Sequence, residues 1–204
     1  MFAAPIVLAG GKSARFGQDK ITQIIAGKTL FERVIVRLAS FSEEIIVVLA
    51  PGGDVPHLSS EIRIRKVFDI FPGKGSLGGV YTGLVCSPHH YNLFAGCDMP
   101  FLNIELLRYM VNECRGYDVV IPRSGKNVEP LHAIYSKDCI PVIEKLWETG
   151  KTKVLDILEM TKVRYIEEKE LDKFDPSRLS FLNVNTREDL NMAVSLLENG
   201  VEPE

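Results

Sequence analysis

One run of the chain concentrates residues suited to holding an anion: Leu8-Ala9-Gly10-Gly11-Lys12-Ser13-Ala14-Arg15-Phe16-Gly17-Gln18-Asp19-Lys20. Its glycines leave room for main-chain N–H groups to approach and point at phosphate oxygens, and Lys12, Arg15 and Lys20 add positive charge. A nucleoside triphosphate is the natural guest for such a loop. Two common phosphate motifs do not fit. The P-loop needs a glycine five positions before Gly11, where Ile6 stands, and the dinucleotide pattern GxGxxG is absent from the loop, which counts against a nicotinamide or flavin enzyme. The plain alternative is a surface turn that happens to be basic.

Asp98, just past the apolar run Tyr91–Gly96, is the expected metal ligand, because magnesium prefers one or two carboxylates alongside water and phosphate oxygens. A turn or capping aspartate ahead of Met99-Pro100 is the ordinary alternative. Lys20 is expected to stabilise charge building on a departing pyrophosphate, and Arg15 to clamp phosphate with its two-pronged guanidinium. No catalytic triad is recognisable, and phosphate chemistry needs none, since an anionic phosphate can attack without a side-chain nucleophile. His132, beside Pro130, reads as a satisfied, half-buried histidine or as a residue lining a second substrate. The adjacent His89 and His90 read as a solvated loop.

These residues need a scaffold that gathers them. Short runs rich in β-branched residues alternate with segments of helical period, the pattern of an α/β fold with a mostly parallel sheet. Strands are expected over Ile6–Ala9, Ile45–Ala50, Ile62–Phe68, Tyr91–Gly96, Val119–Pro122, Leu131–Tyr135 and Phe181–Val184. Helices are expected from Thr29, with Leu30, Val34, Leu38 and Phe41 on one face, over Leu77–Cys86, from an Asn103 cap through Val111, and from near Ser136. Two short helices should flank Gly150, and Thr186 with Asp189 should box the start of the last helix. In such sheets ligands bind beyond the carboxyl ends of the strands, which is where the glycine loop falls. Asn183 and Asn185 would share one face of the predicted last strand. The charged stretch from Glu167 to Ser180 reads as a surface connection.

The 204 residues suit a single domain, 1–204, and 46% hydrophobic with 25% charged residues is a globular balance. A net charge of −3 without a basic block argues against nucleic-acid binding. The apolar opening Pro5–Ala9 is too short to span a bilayer and lacks the flanks of a secretory signal, so no membrane is expected. Cys86, Cys97, Cys114 and Cys139 are widely spaced with no zinc pattern, and read as reduced thiols of a cytoplasmic protein.

The motif LAGGKSARFGQDK resembles the LAGGxSxRMGxDK signature of the molybdenum cofactor guanylyltransferases. Further blocks follow in that family's order: Asp69 with Pro72-Gly73-Lys74-Gly75-Ser76-Leu77-Gly78-Gly79, then Gly96-Cys97-Asp98-Met99-Pro100-Phe101-Leu102, Glu129-Pro130-Leu131, and Asn183-Val184-Asn185-Thr186. The resemblance implies a Rossmann-like three-layer nucleotidyltransferase fold of the nucleotide-diphospho-sugar transferase type. It implies an activity joining GMP from GTP to the terminal phosphate of Mo-molybdopterin, with Mg2+ as the metal and pyrophosphate as the second product. It further implies nucleotide contacts from Leu8, Ala9, Gly10, Gly11, Lys20, Asp69 and Asp98, and substrate-phosphate or metal contacts from Asn183 and Asn185. Transient contact with other molybdenum cofactor biosynthesis proteins and with acceptor molybdoenzymes is implied as well. Related cytidylyltransferases carry LAAG and DQP where this chain has Leu8-Ala9-Gly10-Gly11 and Asp98-Met99-Pro100, and sugar-nucleotide enzymes carry a second glycine where Ser13 stands and a proline where Asp19 stands, so guanylyl transfer is favoured over cytidylyl or sugar-phosphate transfer. Asp98, Lys20, Asn183 and Asn185 together argue against a non-catalytic nucleotide binder. Phe16 and Ser76 depart from the usual methionine and proline.

Overall fold

The computed structural model describes residues 3–10, 20–58 and 61–201. Its centre is β1 (Ala3–Leu8), whose side chains from Ala3 to Val7 are all buried, as expected of a strand covered on both faces. A small hairpin, β2 (Ile24–Ile25) and β3 (Lys28–Thr29), leads into α1 (Leu30–Leu38). The Thr29 side chain accepts from Glu32 N at 3.1 Å, satisfying one of the free donors at the helix start, and the expected face Leu30, Val34, Leu38 and Phe41 is buried. Next come β4 (Glu44–Leu49), β5 (Arg63–Phe68), α2 (Gly75–Cys86) and β6 (Tyr91–Gly96). The strands β6, β1, β4 and β5 lie side by side and parallel, so their carboxyl ends share one edge of the sheet.

Helix α3 (Ile104–Asn112) is capped by Asn103, whose side chain accepts from Leu106 N at 2.7 Å. Beyond it lie β7 (Val119–Ser124), β8 (Asn127–Val128), β9 (His132–Ser136), α4 (Cys139–Glu148), β10 (Val163–Ile166), α5 (Glu168–Leu171) and α6 (Arg187–Glu198). The sheet order is β10-β7-β9-β6-β1-β4-β5, with β8 on β7. Only β9 opposes its neighbours on this path. That reversal brings the start of β9, rather than its end, to the carboxyl edge of β6, where Gly96 N donates to Leu131 O at 3.0 Å.

Helices sandwich the sheet. One core, built on Leu93, Ala95 and Ile134, packs α1 and α3, and the other, built on Ile6, Phe94 and Tyr135, packs α2 and α4. Helix α2 packs onto the sheet with Gly79 and Gly83 at its closest points. A Cβ on Gly79 would stand 3.1 Å from a Leu8 methyl, and one on Gly83 would stand 2.7 Å from the Phe94 ring. A third cluster, Ile25, Leu30, Phe101, Val184 and Ala193, ties α6 to the small hairpin.

Three expectations are corrected. Phe181–Val184 is not a strand: Leu179–Phe181 forms a 3-10 turn, because the Asp175 carboxylate accepts from Leu179 N and Ser180 N, both at 2.9 Å, and removes those donors from any ladder. Glu167–Ser180 is correspondingly more than a surface connection, for it contains α5 and buries Leu171, Asp175 and Ser180. The second short element near Gly150 is a 3-10 helix, Val154–Glu159.

Candidate active site

Four strand ends converge on the working edge. Leu8 and Ala9 close β1, where Ala9 N donates to Val48 O at 2.9 Å and Cys97 N donates to Leu8 O at 3.2 Å. The second bond fixes the turn carrying Asp98 directly against the end of β1. Gly10 is exposed, and a Cβ there would stand 3.2 Å from Ala50 N, so the chain leaving β1 runs hard against the end of β4. Gly11 and Arg15 lie outside the described residues; Lys20 opens a 3-10 turn, Lys20–Thr22, and its side chain lies outside them too.

Asp98 is half-buried in the turn after β6, where Met99 N donates to Gly96 O at 3.4 Å. Its carboxylate folds back over Gly96: a Cβ at position 96 would stand 2.5 Å from Asp98 Oδ1, a distance that real Cβ atoms do not reach. The chain therefore supplies a cradle that only glycine keeps open. Asp98 O accepts from Val184 N at 2.9 Å, and this one bond draws the Asn183–Asn185 segment to the Asp98 turn. The two asparagines thus reach the site without the expected strand. Asn183 is half-buried and its side-chain amide donates to Phe181 O at 3.1 Å, while Asn185 is exposed just ahead of α6. Thr186 and Asp189 form the anticipated capping box.

Asp69 sits on the same edge, past β5, with its N donating to Leu49 O at 2.8 Å. Asp69 Oδ1 accepts two hydrogen bonds, from Phe71 N and from Thr82 Oγ1, both at 3.0 Å, and Oδ2 has no partner among the described residues. Three strand spacings separate β5 from β6, about 14 Å at the usual interstrand distance. Asp69 and Asp98 consequently cannot grip the same group; they suit the two ends of an elongated ligand lying across β1 and β4.

Thr82 is a residue that sequence reading missed. It is fully buried in α2, where hydroxyls usually serve packing, and its signal is the small-residue face of Gly75, Gly78, Gly79, Thr82 and Gly83. Several of the glycines after Asp69 prove to be packing residues. A Cβ on Gly78 would stand 2.9 Å from Phe71 O and 3.3 Å from Asp69 Oδ1.

On the other side of Asp98 lies the turn Glu129–His132, in which His132 N donates to Glu129 O at 3.0 Å. The Glu129 carboxyl is half-buried, and burial raises its pKa. His132 differs from its expected state. It is fully buried, neither ring nitrogen has a partner among the described residues, and the Phe181 ring meets it edge-on with centroids 5.0 Å apart. Burial lowers its pKa to about 4, against a smaller upward pull from Asp175. His89 and His90 are exposed, as expected, and His90 faces Asp138 at 3.7 Å. All four cysteines are free thiols. Among the described residues no three or more His, Cys, Asp or Glu side chains cluster to hold a metal, and no helix is long and apolar enough to cross a membrane.

The family described as "MobA-like NTP transferase domain" matches residues 5–166. A probable molybdenum cofactor guanylyltransferase of Pelotomaculum thermopropionicum is 36% identical over 197 residues, covering 97% of this chain and 94% of that protein. A molybdenum cofactor guanylyltransferase of Desulfosudis oleivorans is 32% identical, covering 96% of each. The crystal structure of molybdopterin-guanine dinucleotide biosynthesis protein A from Archaeoglobus fulgidus superposes with a TM-score of 0.79 at 28% identity, over 96% of this chain and 99% of that one. The 2-C-methyl-D-erythritol 4-phosphate cytidylyltransferase of Thermus thermophilus shares the fold, with a TM-score of 0.71 at 14% identity over 97% of this chain and 100% of that one.

Proposed function

This chain belongs to the MobA-like NTP transferase domain family, and from that premise we propose that it transfers GMP from GTP to the terminal phosphate of Mo-molybdopterin. The products are the molybdopterin guanine dinucleotide cofactor and pyrophosphate. The observation that carries the reading is the agreement of full-length relatives named for guanylyl transfer with one sheet edge bearing Gly10, Asp69 and Asp98.

An oxygen of the acceptor phosphate attacks the α-phosphorus of GTP; that bond forms as the bond to the bridging α–β oxygen breaks, and the electron pair leaves with pyrophosphate. The acceptor is already anionic, so the protein's task is positioning and charge neutralisation. Main-chain amides at Gly10 and Gly11 bind the phosphate chain, Lys20 and Arg15 balance charge building on pyrophosphate, and Asn183 and Asn185 orient the phosphates from the α6 side. Asp69 Oδ2 accepts from the guanine edge, whose N1–H and N2 amine are donors.

The residues fit magnesium: Asp98 presents a single carboxylate over the Gly96 cradle, and this ion commonly takes one or two carboxylates with water and substrate phosphates rather than a full protein cage. Bound there, Mg2+ would supply charge neutralisation for phosphate oxygens. We place the protein in the cytoplasm on the strength of its free thiols, in transient contact with other molybdenum cofactor biosynthesis proteins and with acceptor molybdoenzymes.

The test is pyrophosphate release by the purified protein with Mg2+ and Mo-molybdopterin, comparing GTP with CTP. Faster turnover of GTP is expected. Faster turnover of CTP would make it a cytidylyltransferase, and no release with either nucleotide would leave a nucleotide binder without catalysis.

A further inference from the structure

Asp69 is held on one side only, and that asymmetry has an identifiable cause. The Thr82 hydroxyl, fully buried on the inner face of α2, donates to Asp69 Oδ1 at 3.0 Å and accepts from Ile70 N at 3.0 Å. Phe71 N donates to the same Oδ1 at 3.0 Å. Thr82 thus ties both the carboxylate and the turn that carries it to a helix clamped onto the sheet through Gly79 and Gly83. The absent Cβ at Gly78 lets that turn come down onto the helix.

We propose that Thr82 is a positioning residue for nucleotide selection, locking Asp69 so that Oδ2 alone is presented to the base. The inference rests on the reading that Asp69 faces the nucleotide. A free carboxylate would rotate about its terminal bond and offer either oxygen in several directions, whereas one with Oδ1 committed to two donors presents a fixed acceptor. Such an acceptor rewards a ligand edge carrying N–H donors and rejects one that offers a lone pair in the same place. Cytosine meets the site with a ring nitrogen that accepts where guanine has N1–H, so the lock favours guanine on chemistry alone.

The experiment uses three variants of the full chain, with GTP and CTP binding followed by titration calorimetry, steady-state kinetics followed by pyrophosphate release, and thermal midpoints as the fold control. Thr82→Val keeps shape but removes the hydroxyl; the dissociation constant and KM for GTP are expected to rise about tenfold, the usual scale for a hydrogen bond to a charged group, with kcat within about twofold. Thr82→Ser restores the hydroxyl and should recover GTP affinity to within about twofold. Asp69→Asn keeps Oδ1 for Thr82 and Phe71 but replaces the outward acceptor with a donor, and should weaken GTP more than Thr82→Val does while narrowing the preference over CTP.

If Asp69→Asn binds GTP as the parent does, the placement of the base at Asp69 is wrong, even where the parent enzyme turns GTP over normally. If Asp69→Asn is impaired but Thr82→Val is not, the base contact stands and the lock is overturned. Equal loss in Thr82→Val and Thr82→Ser, together with a lowered thermal midpoint in both, would likewise overturn it in favour of a purely structural threonine.

Discussion

Asp69 and Asp175 are both turn carboxylates that accept main-chain N–H bonds, yet they spend their oxygens differently. Asp175 is 3% exposed and uses both: Oδ1 accepts from Leu179 N and Oδ2 from Ser180 N. Asp69 commits Oδ1 to Phe71 N and Thr82 Oγ1, and its Oδ2 has no partner among the described residues. The contrast separates a carboxylate whose two oxygens both hold its own loop from one that leaves an oxygen over, as the proposed base contact requires. Asp98 adds a third arrangement, with its Oδ1 lying over Gly96.

The contrast can be broken at either end, and the largest effect is expected at Asp98. Asp98→Asn should lower turnover by at least about 10³-fold in a pyrophosphate-release assay, the scale of losing a principal electrostatic contact, with an unchanged thermal midpoint. Near-parent activity would remove Asp98 from the chemistry. Gly96→Ala should cost about 10²-fold, because its Cβ would collide with Asp98 Oδ1 and a displacement of about 1 Å is enough for such a loss. An unaffected Gly96→Ala enzyme would mean that the carboxylate need not rest where it does.

At the structural end the readout is stability. Asp175→Ala leaves buried donors without partners and should destabilise the fold by about 3 kcal/mol, measured by denaturant titration. A loss of turnover with no loss of stability would instead draw Asp175 into the site. His132, whose neighbour is the Asp175 loop, sharpens this with pH. Its folded pKa of about 4 lies below the ordinary 6.5, so as pH falls the unfolded chain takes up a proton first. Its contribution to stability is full above about pH 6.5 and is lost progressively toward pH 4, by about 3 kcal/mol in all. His132→Leu should flatten that slope and leave the protein no less stable at pH 7; an unchanged slope would show that other groups set it. The acid limb below about pH 4.5 belongs instead to groups such as Glu170: burial pushes its carboxyl up, but hydrogen bonds from Arg164 and Tyr109 prevail and hold it at about 2. Smallest is Thr186→Ala, which removes the cap of α6 and should cost about 1 kcal/mol without touching nucleotide affinity.

Much of this was legible before any coordinates. The parallel strands declared themselves as β-branched runs, and Thr29, Asn103 and Thr186 each marked a helix start by placing a short polar side chain where an amide needs an acceptor. What failed were segments whose backbone is governed by distant side chains. Phe181–Val184 has strand composition, but Asp175 takes the amides ahead of it. Strand β10 is four residues long and includes Arg164, which pairs with Glu113 and Glu170, so it lacks the apolar run that betrays the central strands. Thr82 was hidden for a related reason: its bond to Asp69 spans thirteen positions, as the residue numbers show, and no local pattern records it. The glycines after Asp69 carry no local sign of their role either, for what Gly79 approaches, Leu8, is distant in sequence.

The most direct test of the whole account is a crystal structure of the protein soaked with GTP and Mg2+. The triphosphate is expected along Gly10, the guanine edge at Asp69 Oδ2, and the metal on Asp98 above Gly96. A triphosphate bound away from the carboxyl edge of β1, or a metal that Asp98 does not touch, would contradict it.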